Sequence, residues 1–286
     1  LKAYQIKILL LLAGLLGLAG CSTVMKSATG GLAANLNAAI LNQDDPETVR
    51  DGAPAYLILL DSFVEGASDD STTLAAAAEL YAAYGVVFVD DPERSQRLTS
   101  RARSYGQRAL CARNHKACDL DNMTFKEYEE VVAHLTKKDA PSLFSYGLSG
   151  LAYIKAHSSD WSAMANLPRI EAALQRVQQL NDQYHPEQVE HYLAVLVTIR
   201  PPALGGDFES GKAHYERAMA LSQGKDLSIS VDYARYFART LYDRELHDQL
   251  LNDVMAADVN QDGYTLFNVI AQRDAQIMLD SADDYF

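Results

Sequence analysis

The sequence predicts an all-α fold, with about a dozen helices arranged as stacked hairpins in one domain. Three observations predict it. Apolar residues recur three or four positions apart through nearly every segment, with Gly and Pro falling between the runs. No clean apolar–polar alternation recurs, so no sheet is expected. Helix-start signals repeat along the chain: Asp45-Pro46-Glu47 and Asp91-Pro92-Glu93 each place Asp at an N-cap, Pro at the first helical position and an acid near the positive end of the helix dipole.

The first residues read as an export signal. Lys2 and Lys7 precede an uncharged, Leu-rich run from Ile8 to Ala19, and Leu18-Ala19-Gly20-Cys21 closes it. Small residues before a Cys at the end of such a run mark residues 1–20 as a lipoprotein signal peptide, with acyl chains expected on Cys21. A membrane-spanning helix needs about 20 apolar residues, more than this run supplies. Several acyl chains on one Cys give stable anchoring. Ser22, rather than Asp, follows Cys21, which in a double-membraned bacterium favours the inner leaflet of the outer membrane. Residues 21–31 are small and polar and read as a flexible tether; residues 32–286 form the helical domain.

Within that domain helices are expected near 32–42, 46–65, 71–89, 92–112, 124–136, 141–157, 160–181, 186–199, 207–222, 226–240, 243–257 and 263–283. Asp70-Ser71 precedes LAAAAELYAAYG, and the Val-rich end at 85–89 reads as a buried helix terminus, not a strand. Thr124 with Glu127 matches a capping box. His185-Pro186-Glu187 starts a helix that ends before Pro201-Pro202. Gly205, Gly206 and Asp207 then make a tight turn. They are not a phosphate loop, since no Lys-Ser/Thr follows and no strand precedes.

The second half of RPPALGGDFESGKAHYERAMAL (200–221) resembles the second half of a tetratricopeptide-like helix pair, with Phe208 after the turn and Tyr215, Ala218 and Leu221 then falling three or four residues apart. Ala102, Tyr105 and Ala109 echo this spacing loosely, so the repeat is degenerate. Gly211 stands where such a unit usually has Ala. Gly in a helix interior costs roughly 0.5–1 kcal/mol relative to Ala, and the expected return is close approach to a neighbouring helix.

Composition excludes several functions. The formal charge is −13, and loss of Lys2 and Lys7 with the signal peptide makes the remainder more acidic. An acidic surface does not bind nucleic acid or an anionic membrane face. No HExxH pair, Gly-x-Ser-x-Gly elbow or Cys–His nucleophile pattern is present, so no enzyme and no cofactor is expected. Cys111 and Cys118, in CARNHKAC, read first as a loop-closing disulfide, then as free thiols, and last as a metal site with His115. Asp258, Asn260, Asp262 and Gly263 match the start of a calcium loop, but Leu266 and Val269 occupy its ninth and twelfth positions. A turn before the last helix is the stronger reading, and no metal is expected. The seven histidines are scattered. Tyrosine is prominent, with 16 Tyr against 8 Phe and one Trp. It suits helix seams and ligand clefts alike. Tyr233 and Tyr236, beside Phe237, are the cleft candidates. Arg200 is a candidate anion contact, although an interhelix ion pair is the stronger reading for it.

Long blocks carry a resemblance that covers the whole exported chain. DDPETVRDGAPAYLILLDSFVEG (44–66), LAAAAELYAAYGVVFVDDPERSQRL (74–98), RPPALGGDFESGKAHYERAMALSQGKDLSISVDYARYFAR (200–239) and DGYTLFNVIAQRDAQIML (262–279) follow the lipobox in order. The chain resembles the TatT family, the helical lipoprotein component associated with tripartite ATP-independent periplasmic (TRAP) transporters. The resemblance implies a tetratricopeptide-like fold, a homotrimer with openings through each protomer, and partnership with the periplasmic substrate-binding subunit. It further implies a cleft for a small hydrophobic or carboxylated ligand. The expected function is that of a non-enzymatic accessory lipoprotein. A lipid-anchored scaffold for envelope proteins is the alternative.

Overall fold

A computed structural model describes residues 35–286, so the signal peptide, Cys21 and the tether lie outside the described residues. The described residues are all-helical, with no strand. After a short helical stretch at 35–41 come α1 (Pro46–Gly66), α2 (Ser71–Val87), α3 (Pro92–Arg113), α4 (Phe125–Ala133), α5 (Ala140–Ala156), α6 (Trp161–Met164), α7 (Leu167–Leu180) and α8 (Pro186–Thr198). They are followed by α9 (Phe208–Leu221), α10 (Leu227–Asp232) with a π-helical continuation (Tyr233–Ala238), α11 (Arg244–Ala256), α12 (Thr265–Asp280) and α13 (Ala282–Tyr285). Among the described residues no helix is long and apolar enough to cross a membrane.

The caps explain the boundaries. Asp45, Asp70, Asp91, Asp160, Asp207, Asp226 and Asp243 each accept a hydrogen bond from a backbone N–H of the first turn, filling donors the helix leaves open. Thr124 and Glu127 form the expected capping box. Four expected segments end or divide differently. The segment 160–181 breaks at Ala165-Asn166, because Pro168 lacks an N–H to continue a helix from α6. The segment 226–240 becomes π-helical halfway, 263–283 divides at Ser281, and α4 stops at Ala133.

Helices adjacent in sequence pack on one another, α2 on α3 and α8 on α9 most extensively, with α5 reaching α2, α3 and α7. Two apolar clusters result among the described residues. The smaller joins α1, α2 and α3 with Ala152 and Leu266; the larger runs from Leu110 to Met278. The two ends of the array meet. The Asn42 carboxamide donates to Asp262 Oδ1 (2.9 Å) and accepts from Gly263 N–H (2.6 Å), and Arg273 pairs with Glu47 at 3.2 Å.

The α8–α9 pair shows why Gly211 is glycine. A Cβ there would land on Thr198 Cγ2, far inside van der Waals contact. Thr198 Oγ1 in turn lies 3.3 Å from the buried Tyr215 hydroxyl.

Candidate functional site

The turn before α9 is built as its residues dictate. Gly205 takes φ +87°, a region open to glycine. A Cβ on Gly206 would strike the Arg200 carbonyl. Asp207 N–H donates to Val197 O at 2.9 Å, and the Asp207 side chain accepts from Ser210 N–H at 3.0 Å. Pro201 and Pro202 lead into this turn, with Pro202–Leu204 forming a 3₁₀ turn. Arg200 makes no ion pair among the described residues, and its Nε is buried without a partner. The expected interhelix pair is therefore absent, and nothing joins Arg200 to the polar cluster described next.

That cluster centres on α10 and its π-helical continuation. Asn268, fully buried on α12, fixes the start: its Oδ1 accepts from Leu227 N–H (2.9 Å) and its Nδ2 donates to Lys225 O (2.9 Å). After Asp232 the backbone widens, and Arg239 N–H donates five residues back to Ala234 O at 3.0 Å. A π turn is rare and is often retained where it aims side chains at a site.

Asp232 is the hub. Its Oδ2 accepts from His191 Nε2 on α8 at 3.1 Å, and its Oδ1 accepts from Arg235 Nη1 at 3.1 Å. Arg235 Nη2 reaches Asp274 on α12 at 2.5 Å. The Tyr215 hydroxyl donates to the Asp232 carbonyl at 3.3 Å. Burial pushes the Asp232 carboxyl upward, but the His191 hydrogen bond and the Lys155, His191 and Arg235 charges outweigh it and hold its pKa well below the usual range.

Lys155, near the end of α5, completes the group. Its Nζ sits 5.8 Å from the Tyr236 ring centroid, a cation–π geometry. Among the described residues no carboxylate lies within ion-pair distance of it, and both Asp232 oxygens are held by other partners, His191 and Arg235. Burial pulls the Lys155 pKa down, while Tyr236 and Asp232 push it up further, so the ammonium stays charged. A half-buried cation beside a phenol, without an anionic partner, can receive a carboxylate.

Of the cleft candidates, Tyr236 lies in this group and Tyr233 does not line a cleft. Tyr233 is 4% exposed, stacked on Tyr215 at 4.6 Å and edge-on to Phe237 at 5.0 Å, so it belongs to the packing. Sequence reading missed Lys155, His191, Asp232, Arg235 and Asp274. One local signal existed: Asp232, Arg235 and Tyr236 fall at i, i+3 and i+4 in VDYARYF, on one helix face.

The other sequence candidates lead elsewhere. Cys111 and Cys118 are joined in a disulfide. Their sulfurs and a His115 nitrogen lie within 4.8 Å of one another, but sulfurs bonded to each other are not thiolate ligands. In the 258–263 loop Asp258 Oδ1 accepts from Asn260 N–H (2.9 Å), while Asp262 receives the Asn42 amide. The loop is thus an interhelix turn clasped by Asn42.

The sequence model of the family described as TRAP transporter T-component (TAtT) matches residues 42–286. No curated protein matches the chain.

Proposed function

The chain belongs to the TRAP transporter T-component family, and on that premise we propose that it is a non-enzymatic accessory lipoprotein that holds a small organic acid or hydrophobic ligand and presents it to the periplasmic substrate-binding subunit. The match over residues 42–286 carries the transporter association. The ligand reading is supported by the unpaired Lys155 ammonium beside Tyr236 on a π turn. Cys21 supplies the lipid anchor in this reading, placing the protein in the periplasm on the inner leaflet of the outer membrane, and a homotrimer is the working assembly.

Detergent extraction of the tagged full chain from its own membranes tests the partnership. A TRAP substrate-binding subunit should co-purify, and its repeated absence after crosslinking would overturn the reading. Mass spectrometry of the same sample should find acyl chains on Cys21, and light scattering should give three copies. An exposed apolar stripe on α1 favours the scaffold alternative: Ile58, Leu59 and Phe63 are 70%, 47% and 52% exposed. That alternative predicts partners unrelated to transport and no small-molecule binding.

A further inference from the structure

A separate cavity of about 330 Å³ opens between α2 and α5, near the end of α3. No residue lining it belongs to the Asp232 cluster, and the transport reading does not use it. Its size is at the small end of ligand pockets. Its lining carries one half-buried acid and two exposed basic residues.

Glu79 of α2 is half-buried in the cavity wall, with Ser142 and Ser145 of α5 buried beside it. Glu79 Oε1 accepts from Ser145 Oγ at 2.5 Å, and Oε2 has no partner among the described residues. The Ser145 hydroxyl also lies 3.1 Å from Pro141 O, yet it has one proton to give. Burial pushes the Glu79 pKa up, and the Ser145 hydrogen bond and His185 charge only partly oppose this. Among the described residues no cation lies within ion-pair distance of Glu79, and Ser145 is its one hydrogen-bond donor.

The cavity also carries exposed basic groups, Lys138 and Arg113. Arg113 Nε is tied to Lys138 O (3.1 Å) and to Asp139 (3.3 Å). The Lys138 ammonium forms no ion pair among the described residues. Tyr184, set edge-on to Phe144 at 5.6 Å, gives the cavity an aromatic wall.

Each simple ligand class leaves one end unsatisfied. A carboxylate alone meets repulsion from Glu79. An amine alone leaves the unpaired Lys138 facing like charge. A neutral molecule leaves Glu79 without a counter-charge. We propose that this cavity binds a short zwitterion of the amino-acid class, with its ammonium on Glu79 and its carboxylate at Lys138 and Arg113.

Isothermal titration of the detergent-purified full chain tests this with L-alanine, L-serine, L-glutamine and L-leucine, and with their N-acetyl and amide derivatives. At least one free amino acid should bind. Its N-acetyl and amide forms should each bind about tenfold more weakly or worse, since each removes one charge-assisted contact. Glu79→Gln should weaken the parent by a similar factor. Lys138→Glu, on the exposed rim where folding is not at risk, should abolish binding by reversing the charge. Binding should also weaken as the pH falls and Glu79 takes up a proton. Absence of binding by all four amino acids to folded protein, equal binding of an N-acetyl form, or an unchanged affinity in folded Lys138→Glu would each overturn the proposal.

Discussion

Two aspartates, Asp61 and Asp232, each tie three or more helices together, and only one leaves a charge unmatched. Asp61, on α1, accepts from the Tyr81 hydroxyl (2.7 Å), the Tyr105 hydroxyl (2.7 Å) and Arg101 (2.9 Å). Burial first, and then the Asp61 hydrogen bond, push the Tyr105 phenol up to about 12, so it keeps the proton it donates. Every charge in that group has a partner. Asp232 is equally saturated by His191 and Arg235, but Lys155 beside it is not. A closed polar network holds a fold together. A network that leaves one ammonium over can also hold a ligand.

Removal of the second hub should have the larger effect. Asp232→Ala leaves Arg235 and His191 without their shared carboxylate and should destabilise the protein by about 3 kcal/mol, the cost of breaking one side of a largely buried ion pair. Denaturant unfolding measures it; a loss no larger than that of an exposed residue would mean that water replaces the carboxylate. The pH dependence follows with a definite sign. The folded pKa of Asp232 lies below the unfolded one. Its contribution is therefore complete above the ordinary carboxylate value of about 4 and disappears as the pH falls through the folded value. The stability gap between wild type and Asp232→Asn should be constant near neutrality and close in acid.

Asp61→Ala should cost less, about 2 kcal/mol, because two of its three partners are neutral phenols and Arg101 reaches solvent. It should leave ligand binding unchanged. A loss of binding in the folded variant would erase the distinction between the hubs.

The closed hub and the open one were not equally hidden in the sequence. Asp-Pro-Glu and Thr-x-x-Glu signals act within one turn, so most helix starts could be read from local chemistry. Pro168 is equally local, but the apolar run on both sides of it reads as one helix. The π turn was not legible. It is stabilised by partners 41 and 39 residues away, His191 and Asp274, and no local spacing encodes those contacts. Tyr233 and Tyr236 illustrate the same limit: three residues apart, one is buried in a stack and the other faces an ammonium. Gly211 is intermediate. Its departure from Ala marked a close helix approach, and Thr198 is the neighbour it accommodates.

Gly211→Ala sharpens the comparison, because Tyr215 links the α8–α9 contact to the Asp232 carbonyl. The helix gains up to about 1 kcal/mol from Ala, but the Thr198 clash costs about 1–3 kcal/mol. The net expectation is a loss of about 1 kcal/mol in thermal or chemical unfolding. A more stable variant with unchanged binding would show that the close approach is incidental.

The smallest stability effect should be the most informative. Lys155→Met keeps the length and apolar body of the side chain and removes only the charge. Since the ammonium has no carboxylate within ion-pair distance to strand, unfolding should shift by about 0.5–1 kcal/mol, the size of a cation–π contact at a partly exposed site. Arg101→Met on the Asp61 hub is the matched control. It should be mildly destabilising through the loss of an ion pair that is half in solvent. Binding of succinate, pyruvate and benzoate, measured by equilibrium dialysis, separates the two. If the unmatched charge serves a ligand, Lys155→Met loses whichever of these the wild type binds and Arg101→Met retains it. Equal retention by both would leave the Asp232 group a structural clasp like its N-terminal counterpart, with its spare charge simply solvated.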